Sequence, residues 1–157
     1  MHKISQGLSC IKFVKPHIMV ENAAFSLEEY VFNKVSIDID TNEKGGVLNL
    51  DFQPSGMFTR GETNSTFELQ LVFTANNEQN TVKIAVHGKA KFKFVRNIAF
   101  EEIPAYFYKN SIAIIFPYVR AFLSTVTLQA NIPAIILPTM NLSSLESRLR
   151  ENTKENA

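Results

Sequence analysis

The pattern that most constrains the fold of this chain is the regular alternation of apolar and polar side chains from residue 82 to residue 94. A period of two is typical of a β-strand that buries one face. The apolar side of this run consists of Val82, Ile84, Val86, Gly88, Ala90, Phe92 and Phe94. A similar run from Phe67 to Phe73 comes before it, and the polar residues 76–80 join the two. The two runs therefore predict an antiparallel hairpin with one buried face.

Two further strands are predicted before this hairpin. Apolar residues alternate at positions 48–52, and a weaker pattern runs from Cys10 to Phe25. Pro16 lies in the weaker run, and because proline cannot donate to a ladder, that strand should break or lie at a sheet edge. The segment Tyr30 to Asp40 is unusually apolar for a connection. It either pairs as a strand or crosses over the core.

The segment from Ile103 to Arg150 changes to helical spacing and predicts two helices. The first helix is apolar on one side at Ile112, Ile115, Phe116, Val119, Leu123 and Val126, and on the other at Tyr108, Ile114, Tyr118 and Phe122. Either both sides are core, or the second side meets another copy of the chain, since large exposed apolar patches are unusual. Pro117 lacks a backbone donor, so it predicts a kink or a restart.

The second predicted helix has only a narrow apolar stripe, made of Leu142, Leu145 and Leu149. It is either a lid over a groove or a surface helix docked on its own sheet. Residues 151–157 have no apolar anchor and are predicted to be a mobile tail after a single domain of residues 1–150. Strands followed by helices predict an α+β fold, a four-stranded antiparallel sheet with two C-terminal helices packed on one face.

Composition argues against several classes of function. The chain has 157 residues, of which 45% are hydrophobic, and 16 Lys and Arg against 15 Asp and Glu, so no net field attracts nucleic acid. Lys83, Lys89, Lys91 and Lys93 form a basic stripe on one strand, which we interpret as a solvated, edge-protecting face because the aromatic residues lie on the opposite face. No signal peptide or membrane span is predicted, so the expected location is the cytoplasm.

The sequence does not suggest a catalytic or metal centre. His2, His17 and His87 are far apart, and none is spaced to form a site with Cys10, the single cysteine. Asp38 and Asp40 share one side of an extended segment, but no third group lies within sequence reach. We therefore predict that the chain is not an enzyme and uses no metal or other cofactor.

Three features of the helical half resemble the SecB family of protein-export chaperones. They are the run Ile115-Phe116-Pro117-Tyr118-x-Arg120, the two-proline connection from Ile132 to Asn141, and the leucine stripe that follows. The resemblance implies a dimer of dimers, a homotetramer, that holds non-native polypeptides such as unfolded preproteins in apolar grooves without nucleotide. In the export pathway it implies SecA as the partner that receives them.

The resemblance also assigns roles to residues of this chain. The walls of the client groove would be Tyr30, Val31, Phe32, Ile37 and Ile39 on one side and Ile136, Leu142, Leu145 and Leu149 on the other. The subunit interface would include Ile84, Val86, Gly88, Phe116 and Phe122. At the SecA-contacting surface the chain keeps an acid at Glu21 but carries Lys83 and Ala85 where an apolar residue and an acid are usual.

These observations lead to three hypotheses. The first is a nucleotide-independent holdase for export clients. The second is a SecB-like chaperone dedicated to the antitoxin of a toxin–antitoxin pair. The third, of another class, is a carrier of small apolar ligands in a groove.

Overall fold

The computed structural model describes residues 23–40 and 46–156, and every structural statement below refers to these ranges. The predicted strand from Cys10 to Phe25 lies outside them apart from its last residues, and so does Glu21. The elements are β1 (Phe25–Ile39), β2 (Asn49–Thr59), β3 (Thr66–Asn76), β4 (Val82–Phe94), a 3-10 turn (Phe100–Glu102), α1 (Ala105–Gln129), α2 (Ser143–Glu151) and β5 (Thr153–Asn156). The predicted α+β class is confirmed: one sheet is followed by two helices near the C-terminus.

The described strands form one sheet in the order β1-β4-β3-β2-β5. Pairing is antiparallel between β1 and β4, β4 and β3, and β3 and β2, whereas β5 runs parallel to β2. The predicted hairpin of β3 and β4 is present with Phe67 opposite Phe92. Of the four expected strands, three correspond to β2, β3 and β4, and the first lies almost entirely outside the described residues. The described sheet gains β1 from the segment after it and β5 from the tail.

The interpretation of residues 30–40 as a strand is the correct one. This segment belongs to the fifteen-residue strand β1, which pairs with β4 from Phe25 opposite Phe94 to Ile39 opposite Val82. The register shifts between Leu27 and Glu29 and again between Phe32 and Lys34. These irregularities interrupt the period of two, so the strand is not visible as a simple alternation.

The prediction of a mobile tail was wrong for the described part of residues 151–157. Glu151 is the last residue of α2, and Thr153–Asn156 form β5 beside Gly56–Thr59 of β2. Strand pairing uses backbone groups, which every residue carries, so it needs no apolar anchor. The absence of apolar residues therefore did not exclude an ordered strand.

The core lies between α1 and the inner face of the sheet. Phe107 of α1 is fully buried and its ring contacts those of Phe25, Phe67, Phe92 and Phe94 at centroid distances of 4.7, 4.7, 5.7 and 5.0 Å. Further along α1 the buried side chains recur at helical spacing, at Ser111, Ile112, Ile115, Val119 and Leu123. The helix continues through Pro117, which lies on its exposed side, instead of restarting there.

The expectation that no segment is long and apolar enough to span a membrane was wrong for α1. Among the described residues, this helix alone meets that test by length and composition. Core helices of water-soluble proteins meet the same test, and one side of α1 is buried against the sheet. The length and hydropathy of α1 thus agree with a helix that packs as core.

The second helix, α2, packs against β2 and the start of α1. Leu145 and Leu149 are buried in the core, and Arg148 donates to the carboxylate of Asp51 on β2 at 3.0 Å. The guanidinium of Arg150 lies 4.9 Å from the ring centre of Tyr108 on α1. Burial raises the pKa of Tyr108 because the charged phenolate would be poorly solvated there.

Candidate functional site

The structure separates the two walls of the predicted groove. The five residues of its first wall lie on β1 at one edge of the described sheet, whereas α2 packs near β2 toward the other edge. Helix α1 fills the space between them. Leu145 and Leu149 belong to the core, with 6% and 0% of their surface exposed. Leu142 is half-buried and Ile136 is 65% exposed, so only the connection before α2 still offers apolar surface from that wall.

A different apolar surface forms where β1 meets α1. The ring of Tyr30 lies 4.3 Å from that of Tyr118, and Phe32 stacks on Phe122 at 4.4 Å with an interplanar angle of 20°. Val35 lies on the same face of β1, opposite Val86 of β4. We call these five residues the aromatic surface. Tyr30, Val35 and Tyr118 each leave about two-fifths of the residue's surface exposed, at 43%, 41% and 40%, so a ligand can reach the aromatic surface.

Gly88 of β4 allows this surface to form. A Cβ atom added at Gly88 would lie 3.0 Å from two carbons of the Phe32 ring, which is closer than side chains normally approach. The glycine therefore lets the Phe32 ring lie directly on the backbone of β4, where it stacks on Phe122. The sequence showed this glycine inside an otherwise regular alternation, which is a signal of close approach at a strand.

The other groove residues on β1 do not all share this face. Ile37 and Ile39 continue it, opposite Ile84 and Val82, and both are half-buried. Val31 projects from the opposite face of the sheet, opposite Lys89, and is 52% exposed. The strand thus divides the predicted wall between two faces.

The predicted interface residues are mostly engaged within one chain. Ile84 and Val86 are buried on the inner face of the sheet. Phe116 contacts Phe52 at 5.9 Å, while Phe122 and Gly88 contact Phe32. The apolar surface that α1 leaves exposed lies instead at Tyr106, Ile114, Tyr118 and Leu128. Tyr106 and Leu128 were not identified from the sequence, although both lie on the exposed side of the same helix.

The outer face of the sheet carries the basic stripe, and three of its lysines face carboxylates. Lys89 bonds to Glu68 at 3.2 Å, and Lys91 and Lys93 lie 3.4 and 3.9 Å from Glu28. Hydrogen bonds from Gln70 and then Lys89 lower the pKa of Glu68. A pocket of about 160 Å³ beside these pairs has four charged lining residues, Glu29, Glu68, Lys89 and Lys91, together with Tyr30, Val31 and Ala90. This paired arrangement favours the solvated-face interpretation of the stripe.

The backbone of β1 is a second feature of the site. No described strand pairs with its outer side, so in the described part of the chain β1 is an edge strand of fifteen residues. Every second residue of an edge strand directs its N–H and C=O away from the sheet, where they can pair with another extended segment. Together with the aromatic surface, this edge can hold a polypeptide through both side-chain burial and strand pairing.

His, Cys, Asp and Glu residues form no metal-binding group of three or more within residues 23–40 and 46–156.

Comparison with known proteins assigns the chain to a family. No protein-family model matches the sequence. The uncharacterized protein MJ0357 of Methanocaldococcus jannaschii is 30% identical over 131 residues, which cover 82% of this chain and 81% of that protein. The chain belongs to the family of this archaeal protein. The match extends over most of both proteins.

Solved structures identify the fold. The SecB-like chaperone Rv1957 of Mycobacterium tuberculosis, solved in complex with a ChAD peptide from the antitoxin HigA1, matches with a TM-score of 0.61 and 16% identity over 75% of this chain and 88% of that one. A protein of unknown function from Streptococcus agalactiae matches with a TM-score of 0.48 and 15% identity over 73% and 97% of the two chains. The first match shows that the chain has a SecB-like fold, in agreement with the resemblance in its helical sequence motifs.

Proposed function

We propose that this protein is a chaperone that binds extended, non-native polypeptide at the edge of β1 without nucleotide or another cofactor. The observation that carries the proposal is the exposed aromatic surface beside β1, which is an edge strand among the described residues. Tyr30 and Val35 project from the strand that would pair with a client, and Tyr118 of α1 lies against Tyr30. Apolar area and backbone pairing are both tolerant of client sequence, as a holdase requires. The SecB-like fold supports this proposal.

Within this function, two roles are proposed. One is the holding of unfolded preproteins for export, with SecA as the receiving partner and the cytoplasm as the location. The other is protection of a dedicated antitoxin, which is favoured by the antitoxin peptide bound to the M. tuberculosis protein. A general holdase should delay aggregation of several denatured proteins at stoichiometric ratios. Protection of one antitoxin and no other client would select the dedicated role.

We also propose that the working form is a homotetramer. The apolar side chains left exposed on α1 support contact with another copy, with Tyr106, Ile114 and Leu128 as its first candidates. Light scattering of the purified protein tests this assembly directly. A mass equal to one chain over the working concentration range would contradict it.

The aromatic surface is tested by substitutions on the two faces of β1, at Tyr30 and Val35 on the inner face and at Val31 on the outer face. A double variant with Tyr30→Ser and Val35→Ser loses apolar area from the aromatic surface, whereas the control Val31→Ser loses a similar exposed valine from the other face. At about 0.5–1 kcal/mol for each half-exposed side chain, the double variant should bind client about five- to thirtyfold more weakly. The control should protect clients as well as the wild type. The proposed surface would be refuted if the double variant and the control lost client binding equally, or if neither lost it.

A further inference from the structure

The outer edge of β2 is a second place where this chain pairs with an extended segment. There the segment is its own strand β5, aligned in parallel from Gly56 opposite Thr153 to Thr59 opposite Asn156. The pairing begins with a hydrogen bond of 3.2 Å from the Gly56 amide to the Asn152 carbonyl. The described sheet is otherwise antiparallel.

The edge is limited at one end by a proline. The Gly56 amide points toward β5, and because amides alternate along a strand, positions 54 and 58 also direct their backbone groups to this side. Pro54 has no amide hydrogen, so no donor exists there for an added strand. Its carbonyl accepts instead from the Asn152 side chain at 3.4 Å. The usable edge therefore extends from Gly56 to Thr59.

β5 is held mainly by its backbone. Lys154, Glu155 and Asn156 are exposed, and only Thr153 is half-buried, with its hydroxyl bonded to the Leu149 carbonyl at 2.6 Å. Gly56 makes room for the Phe67 ring and for this threonine, because a Cβ there would clash with the ring and would meet the hydroxyl oxygen at 2.7 Å. The last three residues of β5 are themselves polar and exposed, so their release would remove no apolar side chain from the core.

β5 places two side chains on the inner face, those of Thr153 and Glu155, and the second is poorly suited to its neighbour. Glu155 pairs with Phe58, which is fully buried on the inner face and lies 5.8 Å from the ring of Phe100. A carboxylate beside aromatic rings gains nothing from burial, whereas an apolar side chain at the same position would add buried area. A foreign strand with an apolar residue there would pair better than β5 does.

We propose that the edge of β2 from Gly56 to Thr59 is a docking site for an extended polypeptide with an apolar residue opposite Phe58, and that β5 occupies this site by default. The tail competes as an intramolecular ligand of high effective concentration. The ligand class is a peptide strand that runs parallel to β2. This site lies at the opposite side of the described sheet from β1 and does not require the function proposed for β1 to be correct.

A pair of proline variants opens the site and provides its control. The Asn152 carbonyl points toward β2. Because backbone groups alternate along a strand, the amide of Lys154 also points toward β2, whereas the amide of Glu155 points away from it. Lys154→Pro removes a pairing donor and should release β5. Glu155→Pro places the same residue one position later without removing such a donor.

The probe is a fluorescent synthetic peptide of residues 151–157 that carries Glu155→Leu. It should bind the Lys154→Pro protein about tenfold more tightly than the wild type or Glu155→Pro, a difference of about 1.4 kcal/mol contributed by the competing tail. Amide chemical shifts should change at Gly56 and Phe58. If the peptide does not bind the folded Lys154→Pro protein, or if the shifts are confined to β1, then β5 only protects the edge of β2 and this edge is not a docking site. Self-association that the peptide does not reverse would identify a second copy as the occupant and also overturn the proposal.

Hydrogen exchange of the wild-type protein tests the same idea without a variant. The Gly56 amide faces β5, and the amide of the next residue, Met57, faces β3. If β5 opens by itself, Gly56 should exchange at least about tenfold faster than Met57. Equal rates would mean that β5 opens only with the sheet, which contradicts a replaceable strand.

Discussion

Truncation of Leu149 to alanine tests whether the leucine stripe of α2 is core or client groove. Leu149 is fully buried, and Leu145, one turn earlier on the same stripe, is 6% exposed. Leucine-to-alanine substitutions in protein cores cost about 2–5 kcal/mol, from lost transfer free energy plus the cavity that remains. A domain of this size is stable by about 5–15 kcal/mol, so the loss is a large share of the total.

The loss is measurable by urea unfolding followed by circular dichroism. With a slope of about 2 kcal/mol per molar urea, the unfolding midpoint of Leu149→Ala should fall by about 1–2.5 M. The matched control is Ile136→Ala, because Ile136 belongs to the same predicted wall but is 65% exposed. Its cost should stay within about 0.5 kcal/mol.

The two interpretations of the stripe predict opposite results. If Leu149 lines a groove, its truncation would weaken client binding while the urea midpoint stays unchanged. That outcome would refute the assignment of Leu149 to the core and support a client groove between α2 and the sheet. A lower midpoint in Leu149→Ala, with Ile136→Ala unchanged, would confirm that α2 is docked on its own sheet.

Two further predictions concern single contacts. Gly88→Ala should cost about 1 kcal/mol by displacing the Phe32 ring, and less in a Phe32→Ala background; an equal urea-midpoint shift in both backgrounds would refute this contact. Hydrogen bonds from Gln53 and then Arg148 lower the pKa of Asp51, so its contribution to stability is present above the ordinary carboxyl pKa and is lost as pH falls through the lowered one. The difference in unfolding midpoint between wild type and Asp51→Asn should therefore be constant above about pH 5 and shrink as the pH falls through and below the ordinary carboxyl pKa of about 3.9. A difference that stays constant down to about pH 2 would contradict it.

The strands with regular alternation were predictable, and the irregular ones were not. β4 has the limits expected from its pattern, Val82 to Phe94, because its inner face is covered along its whole length. In β1, register shifts beside Glu29 and Lys34 change which side chains face inward, so the segment could be either strand or crossover. β5 gave no signal, because Thr153–Asn156 pair through the backbone and hydropathy does not record backbone pairing.

The sequence indicated the residues of the aromatic surface but not their contacts, because those contacts depend on the tertiary structure. Tyr30 and Phe32 were assigned to a client groove through the resemblance to SecB; in the structure Tyr30 is 43% exposed and Phe32 is half-buried. Their partners Tyr118 and Phe122 were recognised as one apolar side of a helix, but only the tertiary structure brings that side against β1. A leucine stripe on a short helix has the same sequence whether it covers a sheet or a groove, so the sequence alone did not show that Leu145 and Leu149 are buried within one chain.

The two outer strands of the described sheet differ in how their edges are protected. An unpaired edge invites association, and proteins usually block it with prolines, charges or a covering segment. β2 has such protection in Pro54 and in β5, whose Lys154 and Glu155 are charged. The inner face of β1 instead presents Tyr30 and Val35 beside its edge. If both edges receive polypeptide, an extended client should therefore bind at β1 first, and reach β2 only when its affinity exceeds that of the tail it must displace.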